Sequence, residues 1–561
     1  MKKVLLSIFA VLTAFVSADA CTNMIVGKNA SADGSVMVSY NADSYGLFGN
    51  LYHWKAGMHA AGEMRQVFDW DSGRYLGEIP EAPVTYNVVG NMNEHQLCIT
   101  ETTFGGRREC RDKNGIVDYG SLIYITLQRA TNAREAIKTM TELVTKYGYA
   151  SGGESFSICD KNEAWIMELI GKGTSEDGKP TGAVWCAIRI PDDCISGHAN
   201  QARITTFPQA KKVDKALGCY VPNNDVMYSA DLIPFARKMG WFEGNDADFS
   251  FRAAYHPLTF SGIRACDGRV WSIFRKFTNN MDDYLGYING DVNADPMPLY
   301  VKPNHKVSLR EVKDAMRDHY EGTALDPTKD LAAGPYASPY RAPGFKFTGA
   351  DGRASFNERV VGCVQSGFAL VGQLRSWLPD AVGGILWFNC DDATMITYVP
   401  VYCCTYEVPE AFSDKIAGPV EFSMKSAFWM NNMVANMVYP RWSVIYPDLR
   451  EAQNEMDDFF EADQKNTEAL VANKNGDDRA KILNDLTASY TQKFMDRWTK
   501  LFELIVVKHN DMVVKGMKDG KFLKSETGLA GRAERPNYYT PEYTEEVKKA
   551  TGDRYLTPAK K

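Results

Sequence analysis

A chain of 561 residues with a formal charge of −7 carries no basic footprint for nucleic acid. At 45% hydrophobic and 12% aromatic residues it is a packed globular chain and not a disordered one. Its length exceeds what one ordinary core needs, which predicts two structural units.

The chain opens Met1-Lys2-Lys3, followed by an apolar run from Val4 to Val16 and by small residues at Ala18 and Ala20. Basic start, apolar middle and small-residue end are the parts of a secretory signal, cut after Ala20. The run is too short for a membrane span of roughly 20 residues, and no later stretch is long and apolar enough to cross a membrane. The expected consequence is a secreted or periplasmic protein whose mature chain starts at Cys21. A lipoprotein leader also ends at a cysteine, but usually with Leu where Ala18 stands and an uncharged small residue where Asp19 stands.

Beyond the leader, Asn23–Gly27 and Ser35–Ser39 are short β-prone runs joined by the turn residues Ala32-Asp33-Gly34, which predicts a hairpin beginning at the cysteine. Residues 120–148 repeat apolar positions near a 3.6 period and read as helical, with a second start near Thr131. Strands are expected over 153–170 and 183–190, and as a pair at Ile385–Phe388 and Ile396–Pro400. After about residue 410 the character changes. Residues 424–446 and 452–472 read as helical, and Ile482, Leu486, Tyr490, Phe494, Trp498 and Ile505 form one helical stripe, read as core packing. The expected organisation is a leader at 1–20, a catalytic unit at 21–410 and, at 411–561, a helical extension with an irregular tail from 516. Pattern alone implies stacked layers of strands and helices.

Twelve cysteines are present. Export permits disulfides, but the pairing is not deducible from sequence; many of the cysteines sit in apolar runs, as buried thiols do. The eight histidines include no metal-binding pattern, and no cofactor motif is found. Gly173–Lys179 imitates a phosphate loop but is followed by Pro180 in place of Ser or Thr. His198 reads as a structural turn residue.

A cysteine at a chain terminus carries its own base. A free α-amine titrates at about 7.7–8.0, so a useful fraction is neutral near pH 7. It can take the thiol proton and later protonate a leaving amine. The remaining requirements are a group that orients the amine and donors for an oxyanion.

Cys21–Gly27, Ala32–Ser35 and Asn41–Ser44, followed by Gly90–Glu94, Gly153–Ile158, Glu163–Glu168, Ser196–Ile204, Trp387-Phe388 and Tyr398–Tyr402, resemble in order the C69 dipeptidases. These are N-terminal nucleophile hydrolases related to penicillin V acylase and bile salt hydrolase. The resemblance covers roughly 21–450. It implies an α+β, four-layer αββα fold, here with a C-terminal helical extension, and an enzyme that hydrolyses dipeptides without a cofactor or metal. Cys21 would be nucleophile and, through its amine, base. Asp43 would hold that amine and thiol, Asn200 would donate to the oxyanion, and Arg252 would match the arginine that acylases place near the nucleophile. Glu101, Thr102 or Thr103 would add an oxyanion or substrate contact. Relatives often carry Arg immediately before the Asn-x-Asp segment, where this chain has Tyr40. The alternatives are an acylase of the same fold and, more distantly, a lipid-anchored binding protein. Dipeptide preference is not legible, and a homo-oligomer stays open.

Overall fold

The computed structural model describes residues 21–341, 344–528, 531–534 and 539–558; the leader expected at 1–20 lies outside them. The predicted hairpin is present: β1 (Asn23–Val26) runs antiparallel to β2 (Val36–Asp43), with Ile25 opposite Val38. Next come β3 (Cys98–Gly105), α1 (Tyr119–Leu127), α2 (Ala133–Tyr147), β4 (Gly153–Cys159), β5 (Ala164–Gly171), β6 (Ala183–Ile190) and β7 (Ile195–His198). The helical stretch 120–148 is split because Asn132 caps α2 by accepting from the Glu135 amide. Further along lie α3 (Gly268–Arg275), α4 (Leu309–Ala315), β8 (Ser366–Leu374), β9 (Gly384–Cys390) and β10 (Val399–Tyr402).

Two sheets form from these strands. The first has the central order β7-β1-β2-β8-β9-β10 and the second runs β6-β5-β4-β3 through its middle. They stack where β1 and β2 meet β3 and β4, with α1 and α2 on the second sheet and α3 and α4 on the first. The chain is therefore α+β. Alternation along the strands sorts side chains to the two faces. Ile99, Phe156, Ile158, Trp165 and Met167 pack under α1 and α2, whereas Met24, Val38, Cys98 and Ile166 belong to the larger core.

The helical region comprises α5 (Ala427–Val438), α6 (Trp442–Val471) and α7 (Gly476–His509). The expected stripe is present: Tyr490, Phe494, Trp498, Leu501 and Ile505 are buried in the same continuous core as the first sheet. Each such side chain stabilises the fold by about 1.5–3 kcal/mol. Two expectations shift. The last strand begins at Val399 and not at Ile396. The tail, read as irregular, contains α8 (Pro541–Thr551), capped by Thr540 with Pro541 at its first position. Neither these helices nor any other in the described residues is long and apolar enough to cross a membrane. All twelve cysteines are free thiols, ten of them buried.

Candidate active site

Cys21 immediately precedes β1, and paired backbone bonds between Thr22 and Asn41 (3.1 and 3.0 Å) fasten that end to β2. This brings Cys21 beside Tyr40 and Asp43. The thiol is nearly enclosed, 5% exposed, with its one proton in reach of two acceptors, Tyr40 Oη at 3.5 Å and Glu101 Oε1 at 3.6 Å. Tyr40 Oη in turn donates to Glu101 Oε1 at 2.5 Å. Burial, then the charges of Glu101 and Asp43, push the thiol well above its ordinary range, while the Tyr40 hydroxyl and the Asp43 backbone pull it down.

Asp43 is buried at the end of β2. It accepts from Ser366 Oγ at 2.5 Å and pairs with Arg359 at 3.2 Å. Burial raises it to about 6, against the opposing pull of Arg359, Ser366 and Arg269.

Asn200 follows β7 with φ of 65°, a left-handed conformation that Asn tolerates better than most residues. Its Nδ2 donates to the Thr103 carbonyl at 2.8 Å and its Oδ1 accepts from Arg269 Nη2 at 2.9 Å. The turn is fixed from below by Glu168, which accepts from the amides of Arg203 and Ile204.

Arg269, on α3, is the arginine that reaches the cysteine. Its Nη1 donates to the Cys21 carbonyl at 2.8 Å and to Thr22 Oγ1 at 2.7 Å. Its Nη2 donates to the Ala199 carbonyl at 2.9 Å, and Nε to the Ala265 carbonyl at 2.7 Å. Arg252, the arginine singled out from sequence, lies with Glu168, Asp267 and Arg203, on which its charge acts. No hydrogen bond to Cys21 is made from it among the described residues. A signal for Arg269 was present: a charge set against Val270-Trp271-Ser272-Ile273-Phe274 is costly to bury unless its donors are all used.

The segment expected to contact substrate divides by face. Thr102 bonds His198 at 2.7 Å and Thr103 bonds Glu154 at 2.8 Å, whereas Glu101 reaches the thiol. His198 also bonds Ser157 at 2.7 Å, and burial lowers it to about 3, so it is a neutral structural group. Asp43, Asn200 and Glu101 are thus gathered around Cys21, Thr102 lies behind them, Thr103 lines a neighbouring cleft, and Arg252 lies elsewhere.

Two clefts meet here. One, of about 350 Å³, is floored by Cys21, Asp43 and Glu101, with exposed Asp71 at its rim, and walled by Tyr52, Trp54, Trp70 and Tyr124. Trp54 stacks on Tyr124 with centroids 4.5 Å apart, and no lysine or arginine lines this cleft. The second, of about 760 Å³, is lined by Arg107, Arg108, Arg111, Arg269 and Arg359 together with Asn200, Asp69 and Glu154. Asp71 and Tyr119 belong to both.

Arg269 thus clamps Cys21 and Asn200 together, and Cys21 lines the acidic one of the two clefts. The family model for Peptidase family C69 matches residues 20–65 and 59–455; the chain belongs to that family and is a peptidase. A "Probable dipeptidase" of Latilactobacillus sakei is 26% identical over 76% of this chain and 82% of its own length. One of Salmonella dublin is 25% identical over 68% and 81%. A "Dipeptidase" of Bifidobacterium longum is 23% identical over 74% and 76%.

Proposed function

We propose that this chain is an exported dipeptidase of the N-terminal nucleophile type, with the αββα layering of that class. Removal of residues 1–20 would leave Cys21 with a free α-amine that can act as a base beside the thiol and exchange protons with the leaving nitrogen and water. Asp43, raised by burial but charge-paired to Arg359, is placed to hold that amine. Asn200 would offer the oxyanion its second Nδ2 hydrogen, the first being given to the Thr103 carbonyl. The Arg269 clamp fixes Asn200 and Cys21 relative to one another, preorganisation that matters because oxyanion donors are worth several kcal/mol of barrier.

The observation that carries the dipeptide reading is the pair of clefts. A free dipeptide is a zwitterion. Its ammonium suits the acidic, aromatic-walled cleft at Cys21, and its carboxylate suits the arginine-lined one. An N-acyl substrate lacks the ammonium that Asp71 and Asp43 would meet, which disfavours the acylase reading.

The test is turnover of a dipeptide panel beside the corresponding N-acetyl dipeptides, with the N-terminal peptide mass measured on the same preparation. Cys21→Ala should abolish release of amino acids, and the mature chain should begin at an unmodified Cys21. Retained turnover in that variant refutes the mechanism. Preference for the N-acetyl compounds favours the acylase, and an acylated Cys21 favours a lipid anchor.

A further inference from the structure

The relation between Cys21 and Glu101 leads to an assignment of the first proton transfer. Glu101 stands opposite Phe156 and Glu154 stands opposite Thr103 in the β3–β4 ladder. The two glutamates are therefore diagonal neighbours on one face, within reach of each other. Both are buried, and each carboxyl shifts the titration of the other. Neither Oε2 has a hydrogen-bond partner among the described residues. Two carboxylates cannot share such a site without a proton between them. Thr103 bonds Glu154, while Tyr40 and the Cys21 thiol converge on Glu101 Oε1.

We propose that Glu101, held by the Tyr40 hydroxyl and paired with a protonated Glu154, is the base that takes the proton from the Cys21 thiol. This rests on Cys21 being the nucleophile. It gives the α-amine a narrower task than serving as base to the thiol. The S–H bond breaks and the proton passes to Glu101 Oε1, and the sulfur electron pair attacks the scissile carbonyl carbon. The α-ammonium gives its proton to the leaving nitrogen as the C–N bond breaks. The neutral amine then removes a proton from water, the hydroxide attacks the thioester, and the expelled thiolate recovers its proton from Glu101. One water is consumed, and both protonation states return to their starting point.

Burial and like charge favour this arrangement. Burial raises Glu101, and the hydroxyl of Tyr40 and the proton of Glu154 hold it down. Glu154 is raised well above the carboxylate range, first by burial and then by Glu101, so it is the member that keeps the proton. The groups facing the pair are Cys21, Tyr40 and Asp43 from the first sheet, Tyr119 from α1, and Asp71 and Tyr149 from the loops. None is a cation. Tyr40 supplies a neutral donor to Glu101.

The test is the rate of Cys21 alkylation by iodoacetamide against pH, followed by mass spectrometry of the Cys21 peptide in the mature enzyme, beside dipeptide kinetics. Glu101→Gln should slow alkylation near pH 7 at least roughly tenfold, because the thiolate is the nucleophile. It should lower kcat roughly 10²–10⁴-fold with KM unchanged. Glu154→Leu removes a donor to Glu101 and should move the acid limb of the alkylation profile to higher pH; Glu154→Gln restores an N–H donor and should bring it back. Should Glu101→Gln fail to fold, the Glu154 pair decides. A wild-type alkylation profile in Glu101→Gln, or an unmoved limb in Glu154→Leu, overturns the proposal. Either result alongside an inactive Cys21→Ala leaves the dipeptidase reading standing, whereas an active Cys21→Ala removes both.

Discussion

Arg269 holds Cys21 by its backbone: Nη1 lies 2.8 Å from the Cys21 carbonyl oxygen. The proposed nucleophile is thereby positioned from a helix some 250 residues downstream, and the same guanidinium fixes Asn200. Position, and not only reactivity, is what this arginine supplies.

Arg269→Leu leaves the acceptors on Cys21, Thr22, Ala199, Asn200 and Ala265 without this donor. Each buried acceptor left unpaired costs about 1–3 kcal/mol, so the expected loss is at least about 3 kcal/mol in urea unfolding, together with loss of activity. Arg269→Lys, a point charge in place of a fork, should recover part of the stability and little of the activity. A Leu variant as stable as the parent would show that the clamp is not needed for folding.

Asp43 makes a pH-dependent contribution. Its folded value, about 6, lies above the ordinary 3.8, so the folded state binds the proton more tightly than the unfolded chain does. The resulting stabilisation is fully present below about 3.8 and is lost as pH rises through about 6, with a span of at most about 3 kcal/mol. Asp43→Asn should flatten this part of the stability profile while abolishing dipeptide turnover. Comparing urea midpoints at several pH values for the two proteins measures it.

His198 acts in the opposite sense. Burial lowers it from 6.5 to about 3, so the folded state keeps it neutral while the unfolded chain takes up a proton. Its contribution is present above about 6.5 and falls as pH drops toward 3. In His198→Ala the loss of the Thr102 and Ser157 bonds should lower the melting temperature at pH 7.5, with a smaller further drop on acidification than in the parent.

Asp71, bonded by Tyr119 at 2.7 Å and shared by both clefts, is the carboxylate expected to meet the substrate ammonium. Asp71→Asn should raise KM for free dipeptides roughly 10- to 100-fold, the worth of a charge-assisted hydrogen bond, and change little for N-acetyl compounds. Equal effects on both would mean that Asp71 serves the cleft wall only.

Much of this was readable in advance. The hairpin behind Cys21 follows from two β-prone runs and an Asp-Gly turn, and the family expected from the ordered motifs is the family matched. The burial of Leu483 to Ile505 on one side of α7 follows from a 3.6-residue period. What was not legible was set by long-range pairing. Strand β8, central between β2 and β9, is a mixed run, Ser366-Gly367-Phe368-Ala369, with little alternation because both of its faces are buried. The choice between Arg252 and Arg269 depended on which helix lies against β7, and no local spacing reports that. The role of Glu101 depended on the pairing of β3 with β4 and on the meeting of two sheets. A single-strand pattern identifies Glu101 as one acid in a threonine-rich strand and does not name its partner.

The aromatic wall beside Cys21 makes the site report on itself. Trp54 and Trp70 lie within 6.1 Å of each other, and both line the cleft that would receive substrate. A ligand entering there displaces water from two indoles, so intrinsic fluorescence should follow binding in real time. An inactive Cys21→Ala protein would then yield dissociation constants for intact dipeptides, free of hydrolysis, without any label.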